Sequence, residues 1–414
     1  MIFYLCVLCC FIALSAGFVP SSQRIRVHGA IFSADAEETD LDEKRKAQLY
    51  DKLLRDLQIE GVPLLECDAD QVHTLQAALW TTMGQLSEQD YEERACLVFN
   101  KIPLAALQAF VDDFLVLRAQ EDQMEYLPEL SRFSVSLLGK GQLGPAIVLD
   151  IANKTDIANK TDIANKTDVI AEEKQGQTED IPNFEELKCN TAMKAFMDRV
   201  VFGTSNDITI GLGNEGGAPP VQYRFQPSNN VCIIISTFWN CICELMSLSD
   251  EEIGTCCLQI PAIGSNKLQR YEAVSQLLSR SLCLYRGDSV FSLVHFHPQY
   301  DRSLIKPVDK PAFGHLPPIS WLKPMLKANG DETESLDVDS LLNVNFLRRS
   351  PIPAINIVRN SLLNDPKIVS IELDNGVMEQ ASGLEVYCPN ISKLAVTNSD
   401  VLQTALDEEI ALLK

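Results

Sequence analysis

Apolar positions recur with helical spacing through the first third of the chain. Leu49, Leu53, Leu54 and Leu57 mark one amphipathic face, and Leu75, Ala78, Leu79 and Met83 mark another. The run from Ile102 to Leu115 carries Pro103 at a helix mouth and then keeps the same period. Residues from Leu41 to about Arg118 therefore read as helices. At Phe133 the period falls to two, in Phe-Ser-Val-Ser-Leu-Leu. The chain then turns through Gly139-Lys-Gly-Gln-Leu-Gly144-Pro and resumes as Ala146-Ile-Val-Leu, which predicts a β-hairpin.

From Ile151 to Asp168 the pattern is replaced by three exact copies of Ile-Ala-Asn-Lys-Thr-Asp. Three hexapeptides are too few to stack as a solenoid, and an acid-rich polar stretch follows, so this segment reads as a disordered linker. Beyond Pro182 helices and strands interleave. Helices are predicted over Thr191–Val201, Cys232–Met246, Lys267–Cys283 and Asp400–Leu413, with a short one over Ala354–Leu363. Strands are predicted over Asp207–Ile210, Val221–Phe225, Cys256–Ile260, Ser289–His295 and Ile368–Leu373. The chain thus divides into a presequence (1–33), a mainly helical domain (34–150), a repeat linker (151–181) and an α/β domain (182–414). The class is α+β or α/β: a helical N-terminal unit with a β-hairpin, then a mixed sheet packed with helices.

The presequence changes the picture of where the chain works. Ile2–Ala16 is apolar and uncharged and ends in small residues; it falls short of the roughly 20 residues that span a bilayer, which fits a cleaved signal peptide. The next stretch carries Arg24, Arg26, His28 and Ser21–Ser22 with no acid before Asp35, the composition of a transit peptide. A signal followed by a transit-like stretch points to a plastid; plain secretion is the alternative. On either route Asn153, Asn159, Asn165 and Asn390 begin glycosylation sequons.

The formal charge of −22 on 414 residues argues against nucleic acid or an anionic membrane surface as partner. It leaves a small anionic molecule open, since a local basic pocket can sit inside an acidic protein. Ten of the thirteen cysteines lie beyond the signal, without the spacing of a disulfide framework and often inside apolar runs, so buried thiols are expected. Gly211-Leu-Gly-Asn-Glu-Gly216 matches G-x-G-x-x-G. Gly217-Ala-Pro219-Pro220 follows where a phosphate-binding helix should open, so a plain glycine loop is expected.

Three of the five histidines, His295, His297 and His315, fall close together. On a strand His295 and His297 share a face and Phe296 takes the other. The pair suits acid–base work or a divalent metal, with structural, hydrogen-bonded histidines as the plainer reading. A proline-rich segment (Pro307, Pro311, Pro317, Pro318, Pro324) follows and reads as a stiff loop. Asn345-Phe-Leu-Arg-Arg349-Ser350-Pro-Ile-Pro353 then supplies guanidinium groups, and Arg359 lies further on; they suit a carboxylate or phosphate, or else surface ion pairs.

Phe296-His-Pro-Gln-Tyr300 followed by Asn345-x-x-x-Arg349-Ser-Pro-x-Pro353 and Arg359 resembles the family called domain of unknown function 1415, in its longer plant and algal branch. The resemblance is sharpest over about Phe238–Leu363. Bacterial members carry an L-C-P-F motif that is missing here, and Asn356 and Asn360 stand where they have His and Glu. The resemblance implies roles for His297, Tyr300, Asn345, Arg349 and Arg359 but no established activity. The reading carried forward is an enzyme acting on a small phosphate or carboxylate. In it His297, Tyr300 and Asp301 do the acid–base work, Asn345, Arg349, Ser350 and Arg359 hold the anion, and His295 with His297 form a metal pair. A non-catalytic binding or assembly protein is the alternative.

Overall fold

A computed structural model describes residues 64–414, apart from 68, 89–92, 100, 119–125, 139–144, 153–183, 201–219, 264–267, 306–313, 334–335, 363–367 and 383. The presequence, the face marked by Leu49–Leu57, the hexapeptide copies, the predicted strand 207–210 and the Gly211–Gly216 loop lie outside these residues.

In chain order the elements are β1 (Leu64–Cys67), α1 (Val72–Ser87), β2 (Glu93–Phe99), α2 (Leu104–Arg118), β3 (Phe133–Leu138), β4 (Ala146–Ile151), α3 (Glu186–Val200), β5 (Val221–Phe225), α4 (Val231–Ser247), β6 (Thr255–Gln259) and α5 (Leu268–Leu284). They continue with β7 (Phe291–Phe296), α6 (Ile319–Asn329), α7 (Val338–Leu342), β8 (Ala354–Arg359), β9 (Ile368–Glu372), β10 (Met378–Ser382), α8 (Leu384–Val396) and α9 (Ser399–Ala411). The class is the expected one, α+β with a β-hairpin and mixed sheets packed with helices.

Two compact units result. The first takes in the described residues up to 152 together with Asn230–Ser247, and the second takes in the rest. In the first unit the predicted hairpin β3–β4 forms one edge of a four-stranded sheet in the order β1-β2-β4-β3. Here the helical reading of Leu41 to about Arg118 needs correcting at two places, since Leu64–Cys67 and Glu93–Phe99 both lie within it and are strands. Ala95, Cys96, Leu97, Val98 and Phe99 are all buried, and a short run that is apolar on both faces carries no period to separate strand from helix. Helix α4 packs along α1, with Thr81 Oγ1 and Ser236 Oγ 2.7 Å apart in the seam. Gly84 makes room there, since a Cβ would lie 3.1 Å from the Ile233 side chain.

The second unit holds a sheet in the order β5-β6-β8-β7, with β5 parallel to β6 and β8 antiparallel to both of its neighbours, and a separate β9–β10 hairpin. Ala354–Arg359 was expected to be helical and is instead the fully buried central strand β8. Pro351 and Pro353 guide the chain into that strand, and Ile355, Ile357 and Val358 are the branched residues that suit a pleated, packed surface. The proline-rich stretch also contains an element not expected from sequence. Helix α6 starts after Pro318, carries Pro324 inside it and closes on Gly330 at φ 90°. The core gathers Phe196 of α3, Phe296, Tyr300, Leu322 and Met325 of α6 and Ile391 of α8. Helix α9 is tied to α3 by a two-pronged Arg199–Glu409 pair (2.6 and 3.0 Å). Asn390, the sequon on α8, is 4% exposed, which leaves a glycan no room on the folded chain.

Candidate functional site

Strand β7 ends at the residues that the sequence singled out. His295 and His297 both turn toward α5 and are completely buried, while Phe296 takes the other face and meets Phe196 edge-on at 5.1 Å. The two imidazoles do not converge. His295 Nε2 meets Ser279 Oγ at 3.2 Å, whereas the His297 ring lies 4.9 Å from that of Tyr271. Ser279 and Tyr271 are two turns apart on α5, roughly 12 Å along its axis. A metal held by His295 and His297 is therefore not what this arrangement builds. Among the described residues no three His, Cys, Asp or Glu side chains gather in a way that could hold a metal ion.

His297 Nδ1 accepts a hydrogen bond from the Gln299 backbone N–H (3.0 Å), so in the neutral ring the proton sits on Nε2. The expected orienting partners serve other groups. The Tyr300 hydroxyl is 3.4 Å from His315 Nδ1 and accepts from the Leu316 N–H at 3.1 Å. Asp301 caps the following turn through the Ser303 N–H and hydroxyl. The imidazole that Tyr300 orients is thus that of His315, not that of His297.

His315 is the centre of a polar cluster that sequence reading left incomplete. Its ring stacks 4.7 Å from that of His295 and 5.9 Å from that of Tyr300, and its Nε2 lies 3.4 Å from Glu272 Oε2 on α5. That approach suits an ion pair but is off the axis of a hydrogen bond, and neither Glu272 oxygen has a hydrogen-bond partner. Burial pushes the Glu272 carboxyl up to about 8, against a smaller downward pull from Arg302. Burial also holds His315 well below the usual histidine value, aided by His295, Arg302 and Arg348. Both shifts favour a neutral pair, with one proton kept on the carboxyl at neutral pH. Gly314 lets this cluster close, because a Cβ there would fall 2.3 Å from His295 Nε2.

Two buried guanidinium groups border the cluster and behave differently. Arg302 spends its donors on the Leu316 carbonyl (2.6 Å) and the Ile305 carbonyl (2.9 Å). Arg348 is 3% exposed and lies over the Phe296 ring at 5.7 Å, yet its Nε and Nη1 have no hydrogen-bond acceptor. Glu272, Ser279 and Arg302 do not stand out in the sequence, and Arg348 does so only as one of the two guanidinium groups before Ser350. A glutamate among apolar residues in Tyr271-Glu272-Ala-Val was the available signal for the first of them.

The remaining expected anion holders sit apart. Asn345 accepts from the Arg302 N–H (2.9 Å) and so shapes the loop. Ser350 Oγ donates to the Ile352 carbonyl (2.6 Å), bracing the turn into β8. Arg349 donates to the Tyr300 carbonyl and stacks on Phe346, beside an open depression of about 300 Å³ lined also by Asn343, Asp400 and Gln403. That depression is not at the histidine cluster. Arg359 lies at the far end of β8, opposite Phe291, where it holds the Ile253 and Leu248 carbonyls and Asp250. It does not join the histidines.

No protein-family model, curated protein or solved structure matches the chain. The family resemblance therefore stands on its motif residues alone. Among the described residues no helix is long and apolar enough to cross a membrane.

Proposed function

We propose that the chain binds a small molecule bearing a phosphate or carboxylate in its second unit and carries out acid–base chemistry on it. The observation that carries this reading is Arg348, a buried cation with two donors unmet by protein acceptors. An unpaired buried guanidinium costs several kcal/mol, a penalty that a bound anion removes. Beside it stand a carboxyl that keeps its proton near neutrality and an imidazole that stays neutral, a donor and an acceptor on one site. In this reading Arg348 holds the anion while Glu272, His315 and Tyr300 hold and pass the proton. His297 and Arg349 set the loop's geometry instead of touching the ligand. The signal-like and transit-like composition of residues 1–33 supports a plastid as its compartment, with secretion as the alternative.

The rival reading, a binding or assembly protein without chemistry, draws support from Arg302, Asn345 and Ser350, all spent on bracing backbone. Thermal unfolding of the full chain in a panel of phosphates and carboxylates separates the two. The site reading expects a melting temperature that climbs with one class of anion and loses that response in Arg348→Met. No response to any anion, or one equal in the variant, supports the rival. Met is a fair replacement, since swapping a buried ion for an apolar side chain of like volume is often neutral or stabilising.

A further inference from the structure

We infer that the stretches Leu64–Ile151 and Val221–Arg359, each forming one four-stranded sheet, are tandem copies of one β-α-β-α-β-β element, and that only the later copy carries the polar site. The chain therefore holds one anion site and not two. The second half of this statement rests on the anion reading above; the first half does not.

The argument starts from topology. Leu64–Ile151 and Val221–Arg359 each run strand, helix, strand, helix, strand, strand, except that the second stretch carries α6 and α7 between β7 and β8. Each sheet has its first two strands parallel and its fourth inserted antiparallel between the second and third. Strand order alone recurs among unrelated folds, so the register decides. Phe133 of β3 pairs with Ile151, and Phe291 of β7 pairs with Arg359. Counted from these residues every later pairing agrees. Cys96 lies opposite Leu64 on one side and Val148 on the other, as Cys257 lies opposite Tyr223 and Asn356. Ala146 lies between Val98 and Leu138, as Ala354 lies between Gln259 and Phe296. The bond that ends the second strand also recurs. The Phe99 N–H donates to the Pro145 carbonyl at 3.0 Å, and the Ile260 N–H to the Pro353 carbonyl at 2.9 Å.

At matching positions the residues themselves repeat. Phe133-Ser134 answers Phe291-Ser292, Cys96-Leu97 answers Cys257-Leu258, and Pro145-Ala146-Ile147 answers Pro353-Ala354-Ile355. The crossover helices α1 and α4 each bury a tryptophan, Trp80 and Trp239, six residues before a buried leucine, Leu86 and Leu245. Convergence on a sheet does not require the same small residue, the same proline carbonyl and the same register together.

With the frames matched, the differences become informative. Leu137 stands where the second copy has His295, Val98 where it has Gln259, Val148 where it has Asn356, and Ile151 where it has Arg359. All four polar residues are buried. Buried polar groups are costly in a frame that accepts apolar ones at the same register. Gln259, Asn356 and Arg359 are met by Asn190, Thr255 and backbone carbonyls, so they mark the later copy as the one built to hold buried polar groups. Arg348, whose Nε and Nη1 lack acceptors, assigns the ligand to it.

Two measurements on the full chain test this. An experimental structure should reproduce β1-β2-β4-β3 with Val148 opposite Cys96; another strand order, or a slipped register in the first unit, overturns the copy relation. Equilibrium dialysis with inorganic phosphate should give one equivalent bound, lost in Arg348→Met and kept in Val148→Ala. Two equivalents, or one that survives Arg348→Met, overturn the single site. No phosphate bound at all removes the single site along with the anion reading, while the structure still judges the copies.

Discussion

Replacing Glu272 by Gln should make the protein more stable in alkali and leave it unchanged in acid. The carboxyl titrates near 4.5 in the unfolded chain and is raised to about 8 in the fold, where burial disfavours its charge. Between these values the folded chain holds a proton that the unfolded chain has lost. Stability from this group is therefore complete below about pH 4.5 and is lost as pH rises through 8. At about 1.4 kcal/mol per pH unit, the full window is worth roughly 4–5 kcal/mol. Ionisation inside the fold is softened by local relaxation and by proton uptake on His315, which brings the expected loss to roughly 2–4 kcal/mol. Gln keeps the shape and cannot ionise. Urea unfolding at pH 5, 7 and 9 should show wild type and Glu272→Gln alike at pH 5, with the variant ahead by that amount at pH 9. Parallel curves across the range, or a less stable variant at pH 9, would refute the buried neutral carboxyl.

His315 gives the opposite slope: its lowered value means that stability present above about pH 6.5 is lost as pH falls below it, so His315→Gln should flatten the acid side of the same profile. Gly314→Ala puts a Cβ 2.3 Å from the His295 ring at a φ of +87° and should cost about 2–4 kcal/mol by denaturant unfolding. Arg359→Met frees two buried carbonyls and should cost about 2–3 kcal/mol while leaving any phosphate-induced rise in melting temperature intact. A lost phosphate response in that variant would return Arg359 to the site.

Much of the fold was legible because its elements carry a period. Strand β3 alternates buried and exposed side chains, and α5 keeps an apolar stripe through Tyr271, Val274, Leu278 and Leu282. Strands β2 and β8 were not legible, because both are buried on both faces and show no alternation. For β8 the Pro-x-Pro lead-in favoured a helix start, although Ile355, Ile357 and Val358 argued for a strand. Helix α6 was hidden by Pro317, Pro318 and Pro324, of which the first two only mark its entry. The site divides the same way. His295, His297 and Tyr300 stood out as rare residues in one segment. Glu272 and Ser279 join them from α5, a contact that only the folded sheet creates. The choice between Arg348 and Arg349 depended on which of two adjacent side chains turns inward, and the strand entry at Pro351–Pro353 that decides it was the part misread.

The most direct test of the central claim is a crystal structure of the full chain grown with selenate, an anomalous scatterer in the shape of a phosphate analogue. The account predicts an anomalous peak within hydrogen-bond distance of Arg348 Nε and Nη1. A guanidinium satisfied by protein carbonyls or water, with no peak beside it, would contradict it.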